Sequence, residues 1–286
     1  MRDVRDALTI AGYALRESLR RRVFAVVALL TIAFLFLYRL GARKAFEETA
    51  GIFPPQGVEA ETVVGATLFG LSMFATLFLG TVLAVFLTLG AVRGDAERGL
   101  LQPLVVRPLG RTTFLLGRFA GAASVCAVYV TAVYVSALLI TRSAGGWTPD
   151  RIVTPALELA AAVVLLVALS LLGSVLLSST ANGIAIFMLF GAGLVGGLLG
   201  QIGEAINSPT LERVAERTSW ALPFEALYQD GLQRLTADSR GFTRFAVELG
   251  PFGGGQAYGG WLPWWSALYL AGVLTLAALA FARRDL

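Results

Sequence analysis

Two stretches without a single charged residue constrain this chain more than anything else: residues 62–92, 31 long, and residues 159–203, 45 long. A membrane-crossing helix needs about 20 mostly apolar residues to cover about 30 Å of hydrocarbon. The first stretch would extend about 46 Å as a helix at 1.5 Å per residue, so it tilts or projects from the bilayer. The second is too long for one crossing, and its turn formers Ser178-Ser179-Thr180-Ala181-Asn182-Gly183 mark a break. The rest of the chain agrees, with 56% hydrophobic and only 15% charged residues. A soluble domain holds about 45–50% and about 25%. The expectation is an all-α polytopic membrane protein with six spans, at about 23–38, 62–92, 119–140, 159–177, 184–203 and 261–282. The first span ends in Tyr38-Arg39-Leu40 rather than in the small-residue site of a cleaved signal peptide.

Six spans put both termini on one side, and arginine decides which. Residues 1–22, 93–118 and 283–286 carry 13 basic and six acidic groups, a balance of +7. The other side holds 10 basic and 13 acidic groups, a balance of −3, with Glu158 counted in the loop before the fourth span. The positive face is cytoplasmic, which places a multi-pass protein in the cell (inner) membrane with cytoplasmic N- and C-termini. The net +4 is thus a topological signal and not a nucleic-acid footprint.

The residue inventory removes several functions. Histidine is absent and Cys126 is the single cysteine, so no His-dependent triad, Cys/His zinc site or disulfide within one chain can form. No metal is expected. A phosphate-binding P-loop needs a lysine in G-x-x-x-x-G-K-[ST], and the single lysine, Lys44, sits in Gly41-Ala42-Arg43-Lys44-Ala45 on the outer side. This chain is therefore expected to be no enzyme and to hold no cofactor of its own. The spans lack the ionisable groups of a proton-coupled carrier. Their Ser and Thr residues, Ser72, Thr76, Thr81, Ser136 and Ser170 among them, suit helix back-bonding and interhelical hydrogen bonds.

Three pieces lie outside the spans. In residues 1–22 an apolar stripe of Val4, Leu8, Ala11, Leu15 and Leu19 opposes arginines, the pattern of an interfacial helix. In residues 93–118, Asp95 can cap a short helix with Leu100, Leu101 and Leu104 on one side and Pro103 and Pro108 limiting it; Thr112 or Thr113 would cap the third span. Such a helix suits docking on a soluble partner. The 57 residues of 204–260 are long for an idle loop. Ser208-Pro209 and Pro223 each open a helix there, and the second presents Leu227, Tyr228, Gly231, Leu232 and Leu235 on one face. Pro223, Phe224, Glu225, Leu227 and Tyr228 are the candidate residues of an outer gate, resting on or dipping into the outer leaflet. Trp261, Trp264 and Trp265 follow at the interface. In the fifth span, Gly193, Gly196, Gly197 and Gly200 make two GxxxG spacings that let helices approach closely, within a subunit or between two.

Residues 93–118 resemble the membrane subunit of an ATP-binding-cassette (ABC) transporter of the six-span exporter (ABC-2-like) branch. The likeness lies in Asp95, Glu97, Arg98-Gly99-Leu100-Leu101, Leu104, Pro108-Leu109-Gly110-Arg111, Leu115-Leu116 and Gly117-Arg118, with Leu222-Pro223-Phe224-Glu225-Ala226-Leu227 and the ending Phe281-Ala282-Arg283-Arg284-Asp285-Leu286 in support. Leu100 stands where the family favours threonine, and Pro103 interrupts its leucine run. The resemblance implies that Asp95, Glu97, Arg98, Gly99, Leu100, Leu101, Leu104, Pro108 and Arg111 couple the chain to a cytoplasmic ATPase. It further implies that this separate subunit binds ATP and Mg, and that a second permease copy or a related permease completes the transporter. The other readings of the residues are a scaffold or sensor subunit recruiting a cytoplasmic partner, or a secondary carrier.

Overall fold

A computed structural model describes residues 22–50, 59–89, 111–240, 243, 247 and 255–283. The described residues form helices and no strands: α1 (Arg22–Thr49), α2 (Ala60–Thr88), α3 (Arg111–Gly145), α4 (Val153–Leu176), α5 (Ser179–Ala205), α6 (Pro209–Ala221), α7 (Pro223–Arg234) and α8 (Leu262–Ala282). Six of them, α1 to α5 and α8, are long and apolar enough to cross a membrane. The all-α, six-span architecture is the expected one, with two short helices between the last two long ones. The interfacial helix expected in residues 1–22 falls almost entirely outside the described residues.

The apolar pattern sorts the helices by depth. α4 packs against α2, α3, α5, α7 and α8, and Leu159, Ala162, Val163, Leu166, Leu171 and Val175 are all inaccessible along it. α1 instead buries one stripe, with Val27, Thr31, Tyr38, Ala42 and Phe46 turned inward while Leu29, Ile32 and Leu37 are exposed. Inward residues spaced by four and seven form a single helix face. Tyr38 Oη and Thr141 Oγ1 share a hydrogen bond of 2.6 Å that ties this face to α3. The remaining hydroxyls mostly bond back along their own helix: Ser72 to the Phe69 carbonyl, Thr76 to Ser72 and Thr81 to Leu77, each at 2.7 Å, and Ser136 to Ala132 at 2.8 Å.

The bundle has two distinct ends. At one, the end of α4 meets the start of α3 and the end of α8, where Leu115, Leu171, Val175, Ala277 and Phe281 form a small separate cluster, and the start of α5 joins α4 through Asn182 and Ser170. We call this the turn end. At the other, the hairpin end, α6 and α7 fold back over the spans.

Helix boundaries depart from the sequence expectation in four places. α1 does not stop at Tyr38 but carries Arg39, Arg43, Lys44, Glu47 and Glu48 on to Thr49. Charge ends a hydrophobic stretch, not a helix, and Arg, Lys and Glu are good helix formers. α4 starts at Val153, so Glu158 belongs to the helix and not to the loop before it. The break after α4 is only Leu177 and Ser178, both extended, and Asn182 and Gly183 lie inside α5. α3 likewise already contains Arg111, so neither Thr112 nor Thr113 caps it.

Candidate functional site

Of the two short helices among the described residues, α7 is the more enclosed. Pro223 stands in its first turn, where its missing N–H costs nothing. Ser208-Pro209 opens α6 as expected, although the Ser208 side chain makes no capping bond. Phe224, Glu225, Ala226, Leu227, Tyr228, Gln229, Asp230 and Leu232 are each at most 4% exposed. A helix resting on a leaflet would leave one face open. α7 is instead inserted among α4, α5, α6 and α8.

The seat for this hairpin is the glycine run of α5. A methyl at Gly193 would meet the Phe224 ring, at Gly196 the Thr218 side chain, at Gly197 Glu225 Oε1, and at Gly200 the Gln256 amide. Four glycines on one face thus accept α6, α7 and the segment before α8, all from the same chain. The structure brings together the two residue sets that the sequence singled out separately, the glycine run and Pro223 to Tyr228. Phe224 also stacks on Phe190 of α5, with centroids 6.1 Å apart and planes 10° apart, and Phe190 lies 6.0 Å from Phe78 of α2. This aromatic ladder leads from α7 towards an open cleft of about 610 Å³ between α2 and α5, lined by Val85, Phe86, Leu89, Ile184, Phe187 and Met188 among others.

Two polar groups lie within the apolar hairpin end, and of their members only Glu225 was singled out from sequence. Arg234 Nε donates to Glu158 Oε1 of α4 at 3.0 Å and to Asp230 Oδ2 at 2.7 Å. Asp230 Oδ1 accepts the Tyr258 backbone N–H at 2.7 Å. The Asp230/Arg234 spacing of four is visible in the sequence, but Glu158 is 76 residues from its partner. The second group surrounds Glu225. Its Oε1 accepts from Gln229 Nε2 at 2.8 Å, Gln229 Oε1 accepts from Gln201 Nε2 of α5 at 3.2 Å, and Glu225 Oε2 has no hydrogen-bond partner among the described residues. Burial pushes the Glu225 carboxyl up to about 8, and the Gln229 amide only partly opposes this.

The sign of the consequence follows from proton linkage. An acid whose folded-state value is raised binds its proton more tightly folded than unfolded. Stability is then greatest below the ordinary carboxylate range and falls as pH rises towards about 8. Glu225→Gln is expected to raise stability at pH 8.5 by a few kcal/mol, on the order of the shift itself, and to be nearly neutral at pH 5. Thermal unfolding in detergent at the two pH values measures this.

At the turn end, Thr88, Ser170 and Asn182 join α2, α4 and α5. Thr88 and Ser170 hydroxyls lie 2.6 Å apart, and Asn182 Nδ2 donates to the Ser170 carbonyl at 2.9 Å. A methyl at Gly173 would collide with Asn182 Oδ1. Asn182→Ala is expected to cost about 1–2 kcal/mol, whereas Gly173→Ala should cost more alone and much less in the Asn182→Ala background. A double-mutant cycle by thermal unfolding reads this non-additivity. Of the residues that the resemblance assigns to coupling, Asp95, Glu97, Arg98, Gly99, Leu100, Leu101, Leu104 and Pro108 lie outside the described residues. Arg111 opens α3 at the turn end.

Fold and site together define a polytopic helical membrane protein whose α6–α7 hairpin is inserted into its own bundle. The chain matches the family described as "ABC-2 family transporter protein" over residues 8–286. It belongs to that family. It is also 34% identical over 114 residues to "Probable ABC transporter permease protein NosY" of Pseudomonas aeruginosa, a match that covers 40% of this chain and 37% of that protein.

Proposed function

We propose that this chain is the permease subunit of an ABC transporter. It forms the path for export or flipping of a substrate, driven by ATP hydrolysis in a separate subunit that binds ATP and Mg. The observation that carries the reading is the family match across residues 8–286, supported by the permease relative. Residues 93–118 then form the coupling loop, with Asp95, Glu97, Arg98, Gly99, Leu100, Leu101, Leu104, Pro108 and Arg111 meeting the ATPase. The flanking helices support the assignment: α2 ends and α3 begins at the turn end, beside the α4–α5 turn. A second permease copy or a related permease completes the path across the cell (inner) membrane. Both termini and the turn end are cytoplasmic, and the hairpin end faces outward. In this frame α7 is the outer gate, since it closes the bundle above the aromatic ladder.

Purification in mild detergent tests the reading. A stoichiometric partner bearing a Walker motif is the expected result. A complex without any ATPase, from a chain whose gene neighbourhood encodes none, would sink it.

A further inference from the structure

The two ends of α7 are held by different means. At its C-terminal end, Arg234 bridges Glu158 of α4 and Asp230 of α7 itself, and Asp230 holds the backbone at Tyr258. One residue further on, the Leu235 carbonyl accepts the Asp150 N–H at 3.0 Å, and Asp150 Oδ2 accepts the Asp238 N–H at 2.8 Å. Ionic and main-chain bonds therefore fasten this end to the start of α4. At the N-terminal end, α7 meets α5 through the Phe224 ring on Gly193, the Glu225 carboxyl on Gly197, and one amide contact from Gln201 to Gln229.

Glu225 is out of place in such a contact. It is 1% exposed, and among the described residues its side chain takes one hydrogen bond, from its own helix, while Oε2 has no partner. The facing run of α5, from Gly193 to Gln201, offers no charged residue. Among the described residues the ionisable groups near it are Tyr228 on its own helix and Tyr258 before α8; burial and the Glu225 carboxylate push both phenols up, so they stay uncharged and offer no positive charge to offset it. On α6, Glu212, Arg213, Glu216 and Arg217 point to the exposed side, while Arg234 is committed to Asp230 and Glu158. A carboxylate here would be an uncompensated buried charge, which proteins avoid by protonation or by moving the group into water.

We infer that α7 is a hinged helix, fixed at Arg234, whose Glu225 end docks on the α5 glycine run only with Glu225 uncharged, so that loss of the Glu225 proton releases that end. The displaced proton goes to solvent, and no other group changes its charge. The inference rests on the reading of α7 as the outer gate and adds to it the means of release. The raised affinity of this carboxyl for its proton, noted above, places the change on the alkaline side of neutrality.

Cysteine accessibility tests it, because the single native cysteine, Cys126, is buried and readily replaced. Ala226→Cys reports the Glu225 end and Leu232→Cys the hinge end, each on a Cys126→Ser background in the full chain. Each is labelled with a membrane-impermeant maleimide, with and without Glu225→Gln. The ratio of rates, Glu225 protein to Glu225→Gln protein, cancels the pH dependence of the thiol itself. When opening and closing are fast, the rate follows the open population. The ratio at position 226 is expected to rise from near unity at pH 6 to about tenfold at pH 9.5, as a buried acid passes through its raised range, while that at 232 stays near unity. Melting temperatures of all four proteins at pH 6 verify folding. A flat ratio at 226 overturns the proton switch, and a parallel rise at 232 overturns the hinge. Labelling during ATP turnover in the ATPase complex is a separate readout. A turnover response without a pH response would leave the gate reading standing and the switch refuted; the reverse would leave the switch standing and refute the gate.

Discussion

Gly197→Val is expected to unseat α7 and lower the melting temperature of the detergent-solubilised protein by about 6–12 °C, the equivalent of about 3 kcal/mol. The cause is local and steric. The first atom of any side chain at 197 would overlap Glu225 Oε1, with the Gln229 amide 2.7 Å away. Both groups belong to α7 and are buried against α5, so neither can turn into water without the helix leaving its seat. Gly191→Val is the control, since a methyl there meets nothing within 4 Å, and it should cost little beyond helix propensity. Glu225→Ala in the Gly197→Val background should recover part of the loss by removing the atom in collision. Equal effects at 191 and 197 would mean that the glycines of α5 do not form the seat.

The second large effect is expected at the opposite end. The double reversal Glu97→Arg with Arg111→Glu should weaken ATPase association about 30-fold or more, as expected when charge-paired contacts across an interface are inverted. It should leave the melting temperature of the permease alone nearly unchanged, because the apolar cluster of Leu115, Leu171, Val175, Ala277 and Phe281 that holds this end together is untouched. Quantitative co-purification of tagged permease with its ATPase reads the result. Undiminished association would remove Glu97 and Arg111 from the coupling surface.

The six long helices were legible because hydrocarbon thickness imposes a length, and the charge-free stretches meet it. Their ends were not. The charged turn from Arg39 to Glu48 stays helical because nothing in it breaks a helix, and Asn182, a turn former by itself, is held in α5 with its side chain bonded to Ser170. Pro223 announced α7, but its depth was hidden: the apolar face in the sequence suits a lipid surface as well as a protein core. The glycine run was equally open, since GxxxG states that something approaches closely and not what. The groups missed altogether, Glu158 with Arg234 and Gln201 with Gln229, are pairings between distant segments. No local pattern encodes them, and only the inserted hairpin brings them together.

In the proposed function an ATPase drives this chain through residues 93–118 while α7 closes the far side. Site-specific photocrosslinking in membranes measures it most directly, with the probe at Leu101 in the coupling loop and, as the control, at Ile206, 63% exposed beyond α5 at the hairpin end. The account predicts an adduct with a Walker-motif ATPase from Leu101 and none from Ile206. An ATPase adduct at Ile206, or none at Leu101 in membranes that contain the ATPase, would contradict it.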